Sequence, residues 1–242
     1  MSWGALREEL ALWRGEGRPA TFWWRDDDAV AVSPELERLL RLGERCGAPP
    51  ALAAPAAAAE AALGSLGVPL LQHGYAHRNH APPGDRKAEY GPHRPLAAMC
   101  AEIERGRRRL AALFGPAFAP VFVPPWNRID AAVRAALPGL GFVGVSAFGR
   151  RLGPDEANVH CDPMIWRPER RFGGEERPLG QLVGHLAARR SAGAFDEPTG
   201  VMSHHLAQDE PAWLFLERLL GEISSCDGAH WLTVNEVFRL PR

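Results

Sequence analysis

Apolar and polar positions follow two patterns that recur along the chain. Short apolar runs such as "ATFWW" and "VFV" are rich in aromatic and β-branched residues, as buried strands are. Longer stretches such as "SPELERLLRLGERCG" place apolar residues three or four positions apart, which is the period of an amphipathic helix. The two kinds of segment alternate, and this alternation predicts an α/β protein with a mostly parallel sheet or barrel covered by helices.

The predicted elements are as follows. Strands are expected at 20–25, 49–56, 68–73, 119–123, 142–149 and 200–205, with a strand-like core in 158–166 and a terminal strand and turn in 230–239. Helices are expected at 2–14, 33–47, 56–67, 95–115, 131–141, 181–190 and 211–225. The stretch 149–180 is rich in Gly, Pro and Arg and is expected to contain long loops.

Length and composition narrow the class of protein. The 242 residues are expected to form a single domain over 1–242, since single α/β barrels commonly reach this length. A net charge of −1 argues against a nucleic-acid partner, and no apolar run reaches the roughly 18 residues of a membrane span. Four scattered cysteines and a charged N-terminal segment predict a cytoplasmic protein with free thiols, while nothing indicates its oligomeric state.

Polar groups follow four of the predicted strands, in "RDDD", "QHGYAH", "PPWNR" and "SHH". The carboxyl ends of parallel strands share one edge of a sheet or barrel, so these groups are expected to converge in an active site. Strand alternation places Asp26 and Asp28 on one face and Asp27 on the other, unless the chain turns there. Crowded carboxylates repel one another, and a metal ion, a proton or an arginine would offset that repulsion. The alternative is a solvated acidic turn or a helix N-cap.

The motif "HGYAH" adds two imidazoles, His73 and His77, directly after an apolar strand. Two imidazoles and one carboxylate are a ligand set for a divalent metal such as zinc, with positions left open for chemistry. One acid of the triplet would then be the third ligand and another a general base. An ordinary surface turn is the alternative interpretation.

These motifs resemble, in their order over residues 22–205, those of the polysaccharide deacetylase family of metal-dependent carbohydrate esterases. The resemblance rests on paired aspartates before a small residue, a His-x-x-x-His pair, a Pro-aromatic segment, an Asp/Trp segment and a late hydrophobic-x-His. It implies a distorted (β/α) barrel of about seven strands.

The resemblance also implies roles for individual residues. Asp27 would be the catalytic base, and Asp28 would bind the metal with His73 and His77. An alternative register makes Asp26 the base and Asp27 the ligand. The catalytic acid would be His204 or His205, and His204 fits the late motif better. The substrate site would include Pro125, Trp126, Asn127, Arg128, Asp162 and Trp166.

One position departs from the family pattern. Val123 stands where the family has an arginine that orients the catalytic aspartate, and Arg25 or Arg128 would have to replace it. The leading hypothesis is a metal-dependent deacetylase acting on an N-acetylated sugar or polysaccharide precursor. The alternatives are a metal-dependent amidohydrolase acting on a small cyclic amide or another acyl compound, and a catalytically silent carbohydrate-binding protein, for which Val123 is the best argument.

Overall fold

A computed structural model describes residues 1–240 and contains nine strands and seven α-helices. The strands are β1 (Ala20–Asp27), β2 (Pro50–Ala54), β3 (Leu70–His73), β4 (Phe118–Val123), β5 (Gly144–Val145), β6 (Met164–Ile165), β7 (Arg171–Phe172), β8 (Thr199–Ser203) and β9 (Ala229–Trp231). The helices are α1 (Trp3–Gly15), α2 (Pro34–Cys46), α3 (Leu96–Phe114), α4 (Ala131–Ala136), α5 (Glu176–Ala192), α6 (Glu210–Ser224) and α7 (Val234–Phe238).

Seven of the strands form one parallel sheet in the order β5-β4-β3-β2-β1-β8, with β9 also paired to β1. Strands β6 and β7 form a separate antiparallel pair. Parallel strands are connected through helices, and this connection requires the alternation of apolar runs and amphipathic segments seen in the sequence. The α/β prediction is confirmed.

The segment 156–161 closes the sheet into a distorted barrel. On one side it bridges the region of β5, through Val145 with Glu156 and Phe148 with Val159. On the other side Cys161 bridges Val201 of β8. The first part of the predicted strand-like core in 158–166 therefore lies between β5 and β8, the two ends of the strand order. Only Met164–Ile165 in this stretch forms a regular strand, and it pairs with β7 outside the main sheet.

Strand β1 presents two different faces because its side chains alternate. Phe22 and Trp24 belong to the large core between the sheet and the helices. Trp23 belongs to a second cluster inside the barrel, with small or β-branched residues of β2 and β4 such as Ala53 and Val123. Residues 25 and 27 follow Trp23 on the inner face, and residue 26 follows Trp24 on the outer face.

The predicted alanine-rich helix at 56–67 is wrong. The structure has a turn followed by a short 3-10 helix at Ala61–Ser65. Backbone N–H groups that an α-helix would use are bound elsewhere, because Ala57 donates to the Tyr75 carbonyl at 2.7 Å and Glu60 donates to the Val30 carbonyl at 2.8 Å. Tertiary hydrogen bonds here override the high helix propensity of alanine.

Other predicted boundaries differ in smaller ways. The strand expected at 142–149 is regular only at Gly144–Val145, and the terminal segment continues from β9 into the short helix α7. Helix α2 begins as its sequence indicates, because the Ser33 side chain accepts a hydrogen bond from the Leu36 N–H and Pro34 occupies the first turn. Within residues 1–240, no helix is both long and apolar enough to cross a membrane.

The closure of the barrel predicts a strict requirement for glycine at position 200. A Cβ there would lie 2.6 Å from Val159 Cα and 2.7 Å from Trp23 Nε1, and it would also clash with the Asn158 carbonyl. We expect Gly200→Ala to lower the free energy of unfolding by about 1–3 kcal/mol in urea titrations, as overpacking does. Gly184→Ala is the control, because nothing lies near a Cβ at that helical position. Equal stability of the two variants would contradict the closure.

Candidate metal centre and active site

Polar side chains from separate strands meet in one pocket of about 940 Å³ at the carboxyl end of the sheet. The convergence expected of the strand ends is present, because the pocket is lined from β1, β3, β8 and the loop after β4. The lining residues include Asp27, Asp28, His73, His77, Trp126, Asn127, Arg128, Asp162, Trp166 and His204.

The three consecutive acids lie in three different environments. Asp26 is on the outer face of β1, where it accepts hydrogen bonds from the Ser203 hydroxyl at 2.6 Å and from the His205 backbone N–H at 3.1 Å. Asp27 lies on the inner face and borders the pocket. Asp28 has a φ of 70° directly after the end of β1, and this turn brings it to the pocket beside Asp27. The chain therefore turns at Asp28, which is the exception to strict strand alternation that the sequence analysis allowed.

Asp28, His73 and His77 form a compact set of ligand atoms. The Nε2 atoms of His73 and His77 lie 3.4 and 3.5 Å from the same oxygen, Asp28 Oδ1, and all three atoms lie within 4.8 Å of one another. Ligands about 2.0–2.1 Å from a tetrahedral zinc ion are separated by roughly 3.3 Å. The spacing therefore fits a zinc-sized tetrahedral ion.

The tautomer of His73 supports the same conclusion. Its Nδ1 lies 3.1 Å from the carbonyl oxygen of Val123. A carbonyl only accepts hydrogen bonds, so Nδ1 carries a proton, and Nε2 is the ring nitrogen that faces Asp28. A backbone partner for the second ring nitrogen is also the usual arrangement of a metal-binding histidine. The space between Nε2 and the Asp28 carboxylate suits a positive charge, which is either a second proton on the ring or a metal ion.

The pKa values of the three groups are shifted in different directions. Burial opposes the charged ring of His73, but the carboxylates of Asp27 and Asp28 raise its pKa, so a metal ion would have to replace a proton on Nε2. Burial opposes ionisation of Asp28, but the hydrogen bond from His73 and the charges of His73, His77 and His204 lower the pKa of the carboxyl below its usual range. Burial and the nearby His73 charge lower the pKa of His77. An ionised carboxylate and a neutral imidazole are the forms that bind a metal.

The two histidines after β8 are not equivalent. His204 lines the pocket, with its Nε2 3.9 Å from Asp27 Oδ2 and its ring edge-to-face with Trp166. The His205 side chain is fully buried on the other side, and its Nδ1 contacts Asp26 Oδ1 at 2.5 Å. Of the two candidates for a catalytic acid, only His204 borders the pocket.

Solved structures share this architecture. A protein from Mycobacterium smegmatis assigned to the polysaccharide deacetylases superposes with a TM-score of 0.66 at 14% identity, over 92% of this chain and 90% of that one. The chitin deacetylase of Colletotrichum lindemuthianum gives 0.54 at 14% identity, over 91% and 88%. A family 4 acetyl xylan esterase from Clostridium thermocellum, solved with a cobalt ion, gives 0.52 at 14% identity, over 91% of each chain.

The chain has the polysaccharide deacetylase fold. The distorted barrel expected from the motifs is thereby confirmed. No protein-family model matches the sequence, and no curated protein matches it either, so the likeness is one of structure.

In this polysaccharide deacetylase fold, Arg25 on the inner face of β1 places a guanidinium beside Asp27, while Val123 is buried on β4. The Arg25 guanidinium is fully buried and binds both oxygens of Asp27, with Nε to Oδ1 at 2.8 Å and one terminal nitrogen to Oδ2 at 3.0 Å. It also donates to the carbonyl and hydroxyl of Ser146 and to Asn127 Oδ1. Of the two arginines considered as replacements, Arg25 is the one that contacts Asp27.

The predicted substrate segment only partly faces the pocket of the deacetylase fold. Trp126, Asn127 and Arg128 line it, whereas Pro125 is buried behind it, against the backbone at Gly74. Trp126 and Asn127 each have a φ of 55°, a left-handed conformation that is uncommon for residues with side chains.

The Asp/Trp segment also borders the pocket. Asp162 Oδ2 accepts a hydrogen bond from Trp166 Nε1 at 2.9 Å, and Asp162 Oδ1 accepts one from the Met164 N–H at 2.9 Å. The carboxylate therefore fixes the indole that packs on His204. Both residues therefore line the pocket together with the candidate acid, His204.

Glu89 is a site residue that no pattern in the sequence singles out. Its buried carboxylate accepts backbone hydrogen bonds from Tyr75 at 3.1 Å, Ala76 at 2.8 Å and Arg78 at 3.3 Å. These bonds hold the loop in which His77 has a φ of 51°. A glutamate so distant from the histidine pair carries no spacing pattern, and only the folded chain reveals it.

A second cluster of possible ligands, His160, His185 and Glu197, does not fit a metal. The backbone N–H of Gly200 donates to His160 Nδ1 at 3.0 Å. In the neutral ring, Nε2 must then carry the proton, and it has no lone pair to offer a metal. The hydrogen bonding instead supports a structural role, with the two imidazoles stacked beside the carboxylate.

The Arg25–Asp27 pair predicts a large effect on stability. We expect Arg25→Met to lower the free energy of unfolding by about 3–5 kcal/mol, because it leaves a buried carboxylate without its partner. The double variant Arg25→Met with Asp27→Leu should recover part of that loss. Urea unfolding of metal-free protein measures both, and Arg38→Met, which breaks an exposed pair, should cost no more than about 1 kcal/mol. A loss from Arg25→Met as small as that of the control would contradict the assignment.

Proposed function

We propose that the protein is a metal-dependent deacetylase that hydrolyses the acetyl group of an N-acetylated sugar or a polysaccharide precursor. The observation that carries the proposal is that one pocket contains three possible metal ligands, a carboxylate bound by an arginine, and an imidazole. These are the Asp28, His73 and His77 set, Asp27 with Arg25, and His204. The fold shared with a chitin deacetylase and an acetyl xylan esterase supports the same chemistry.

Asp28, His73 and His77 would hold the metal, and zinc is the ion that two imidazoles and one carboxylate suit best. When bound, the metal supplies Lewis-acid activation of the acetyl carbonyl and of water. The neutral state of His77 and the ionised state of Asp28 support this ligand assignment.

Asp27 would act as the general base that accepts the proton of the attacking water. Arg25 binds both of its oxygens, so the carboxylate is oriented and its negative charge is stabilised. Asp26 is engaged with Ser203 and His205 on the other face of the strand. These contacts favour the register in which Asp27 is the base and Asp28 the ligand.

His204 would act as the general acid that protonates the leaving nitrogen. Its imidazole borders the pocket with Nε2 3.9 Å from Asp27 Oδ2, and Trp166 packs against it. A base and an acid on either side of a reacting acyl group match the proton transfers of amide hydrolysis. His205 would support the site through its contact with Asp26.

The contact of Arg25 with Asp27 weakens the case for a catalytically silent protein, since that case rested on Val123. No feature of the pocket favours a small cyclic amide over a sugar. Trp126 is half-buried and lines the pocket, where an aromatic ring could pack on a sugar. A cytoplasmic location remains a prediction based on the free cysteines.

The proposal predicts that neutralising Asp27 and neutralising Asp28 have different effects on metal content and rate. Asp28→Asn should lose metal and activity together, whereas Asp27→Asn should retain the metal and lose about 10²–10⁴-fold in rate, the usual contribution of a positioned base. Metal content is measured by elemental analysis and rate by acetate release from N-acetylglucosamine oligomers. Asp85→Asn is the matched control, because this exposed acid also lines the pocket.

Two results would contradict the proposal. If Asp27→Asn empties the metal site and Asp28→Asn does not, the register is shifted by one residue. If zinc-loaded wild-type protein releases no acetate from any acetylated sugar, the deacetylase assignment fails.

A further inference from the structure

The mouth of the pocket carries a cluster of positive charge that the proposed reaction does not use. Arg86, Lys87, Arg128 and Arg167 line it, and Asp85 is the acid that lies among them. We call these four basic side chains the basic rim. Arg86, Lys87 and Arg167 are exposed, and Arg128 is half-buried.

No residue of the basic rim is neutralised by a carboxylate within the described chain. Arg128 donates to the backbone carbonyl of Lys87 at 2.7 Å, and the Lys87 ammonium lies 5.9 Å from the Trp126 ring. Arg86 and Arg167 form no ion pair among residues 1–240. Elsewhere on the surface, arginines commonly face carboxylates, as Arg7, Arg38, Arg45, Arg151 and Arg190 do.

The charges of the basic rim act on one another. Burial and the positive charges of Arg86 and Arg167 lower the pKa of Arg128. These three guanidinium groups line the same pocket, so like charges are concentrated there in a chain whose net charge is only −1. The repulsion is local, and a bound anion would relieve it.

The acids deeper in the pocket do not supply this anion. Asp27 is bound by Arg25, Asp28 faces the two imidazoles, and Asp162 accepts from Trp166 and the Met164 N–H. Arginine forks bind the oxygens of carboxylates and phosphates in pairs, and such charge-assisted bonds are among the stronger ones.

We propose that the acetylated substrate of this pocket carries an anionic group, a carboxylate or a phosphate, that binds to Arg86, Arg128 and Arg167. The inference rests on the proposed deacetylase function and specifies its substrate class. Trp126 provides the spatial link, because its ring lies 4.4 Å from the His77 ring and also near Lys87 of the rim. A sugar on this indole would have its acetyl group toward His77 and its anionic group toward the rim.

The experiment compares one neutral and two anionic acetylated sugars. The probes are N-acetylglucosamine, its 6-phosphate and its 3-O-carboxyethyl ether, so that the two anionic arms separate phosphate from carboxylate. Binding is measured by calorimetry on both zinc-loaded and chelator-treated protein, since a metal could itself attract an anion. Acetate release by the zinc-loaded protein is measured in parallel. We expect at least one anionic sugar to be favoured about tenfold over the neutral one, and less so at high salt.

Paired substitutions locate the preference. Arg86→Gln with Arg167→Gln should reduce the ratio of anionic to neutral affinity to near one. Arg14→Gln with Arg41→Gln removes the same charge from exposed positions outside the pocket and should leave the ratio as in the wild type.

The outcomes separate the inference from the function on which it rests. Preferential binding of an anionic sugar without acetate release from any probe would support the anionic subsite and overturn the deacetylase assignment. Acetate release with no preference between neutral and anionic sugars would overturn the inference alone. Failure of all three sugars to bind, or a preference that survives the rim substitutions unchanged, would also overturn it.

Discussion

Three possible ligand atoms face one another at the carboxyl end of the sheet, and the arrangement of the site depends on the positive charge that lies among them, whether a proton or a metal ion. The Val123 carbonyl binds the proton on His73 Nδ1, so the Nε2 of this ring points at the Asp28 carboxylate. Such a contact is unfavourable unless a positive charge lies between the atoms. Four of the five non-glycine residues with positive φ in residues 1–240 lie at this site, namely Asp28, His77, Trp126 and Asn127. Strained backbone of this kind persists where the surrounding structure enforces it, as at functional sites.

The inner face of β1 provides the second constraint. A guanidinium and a carboxylate two residues apart share this face, and each neutralises the other inside the barrel. If β1 were shifted by one residue, Arg25 and Asp27 would point to the helix layer, which is the side that Trp24 and Asp26 now face. Val123 is buried on β4 in the cluster inside the barrel. The cation beside Asp27 therefore comes from β1, while β4 keeps an apolar residue.

The sequence predicted the features that depend on local periodicity. The alternation of strands and helices and the convergence of the strand ends, which brings Asp28, His73 and His77 together, follow from the spacing of side chains in strands and from parallel topology. It failed where distant backbone groups compete, as at Ala57 and Glu60, whose N–H groups bind Tyr75 and Val30. It could not choose between Arg25 and Arg128, because that choice depends on which one reaches Asp27.

The central claim, a metal centre at Asp28, His73 and His77, is tested most directly by anomalous diffraction from crystals grown with zinc. One strong anomalous peak is expected about 2.0–2.2 Å from Asp28 Oδ1, His73 Nε2 and His77 Nε2. The cluster of His160, His185 and Glu197 serves as an internal control within the same crystal, and no peak is expected there. Absence of the peak at Asp28 would contradict the claim, and a peak at the second cluster would contradict the tautomer argument that separates the two sites.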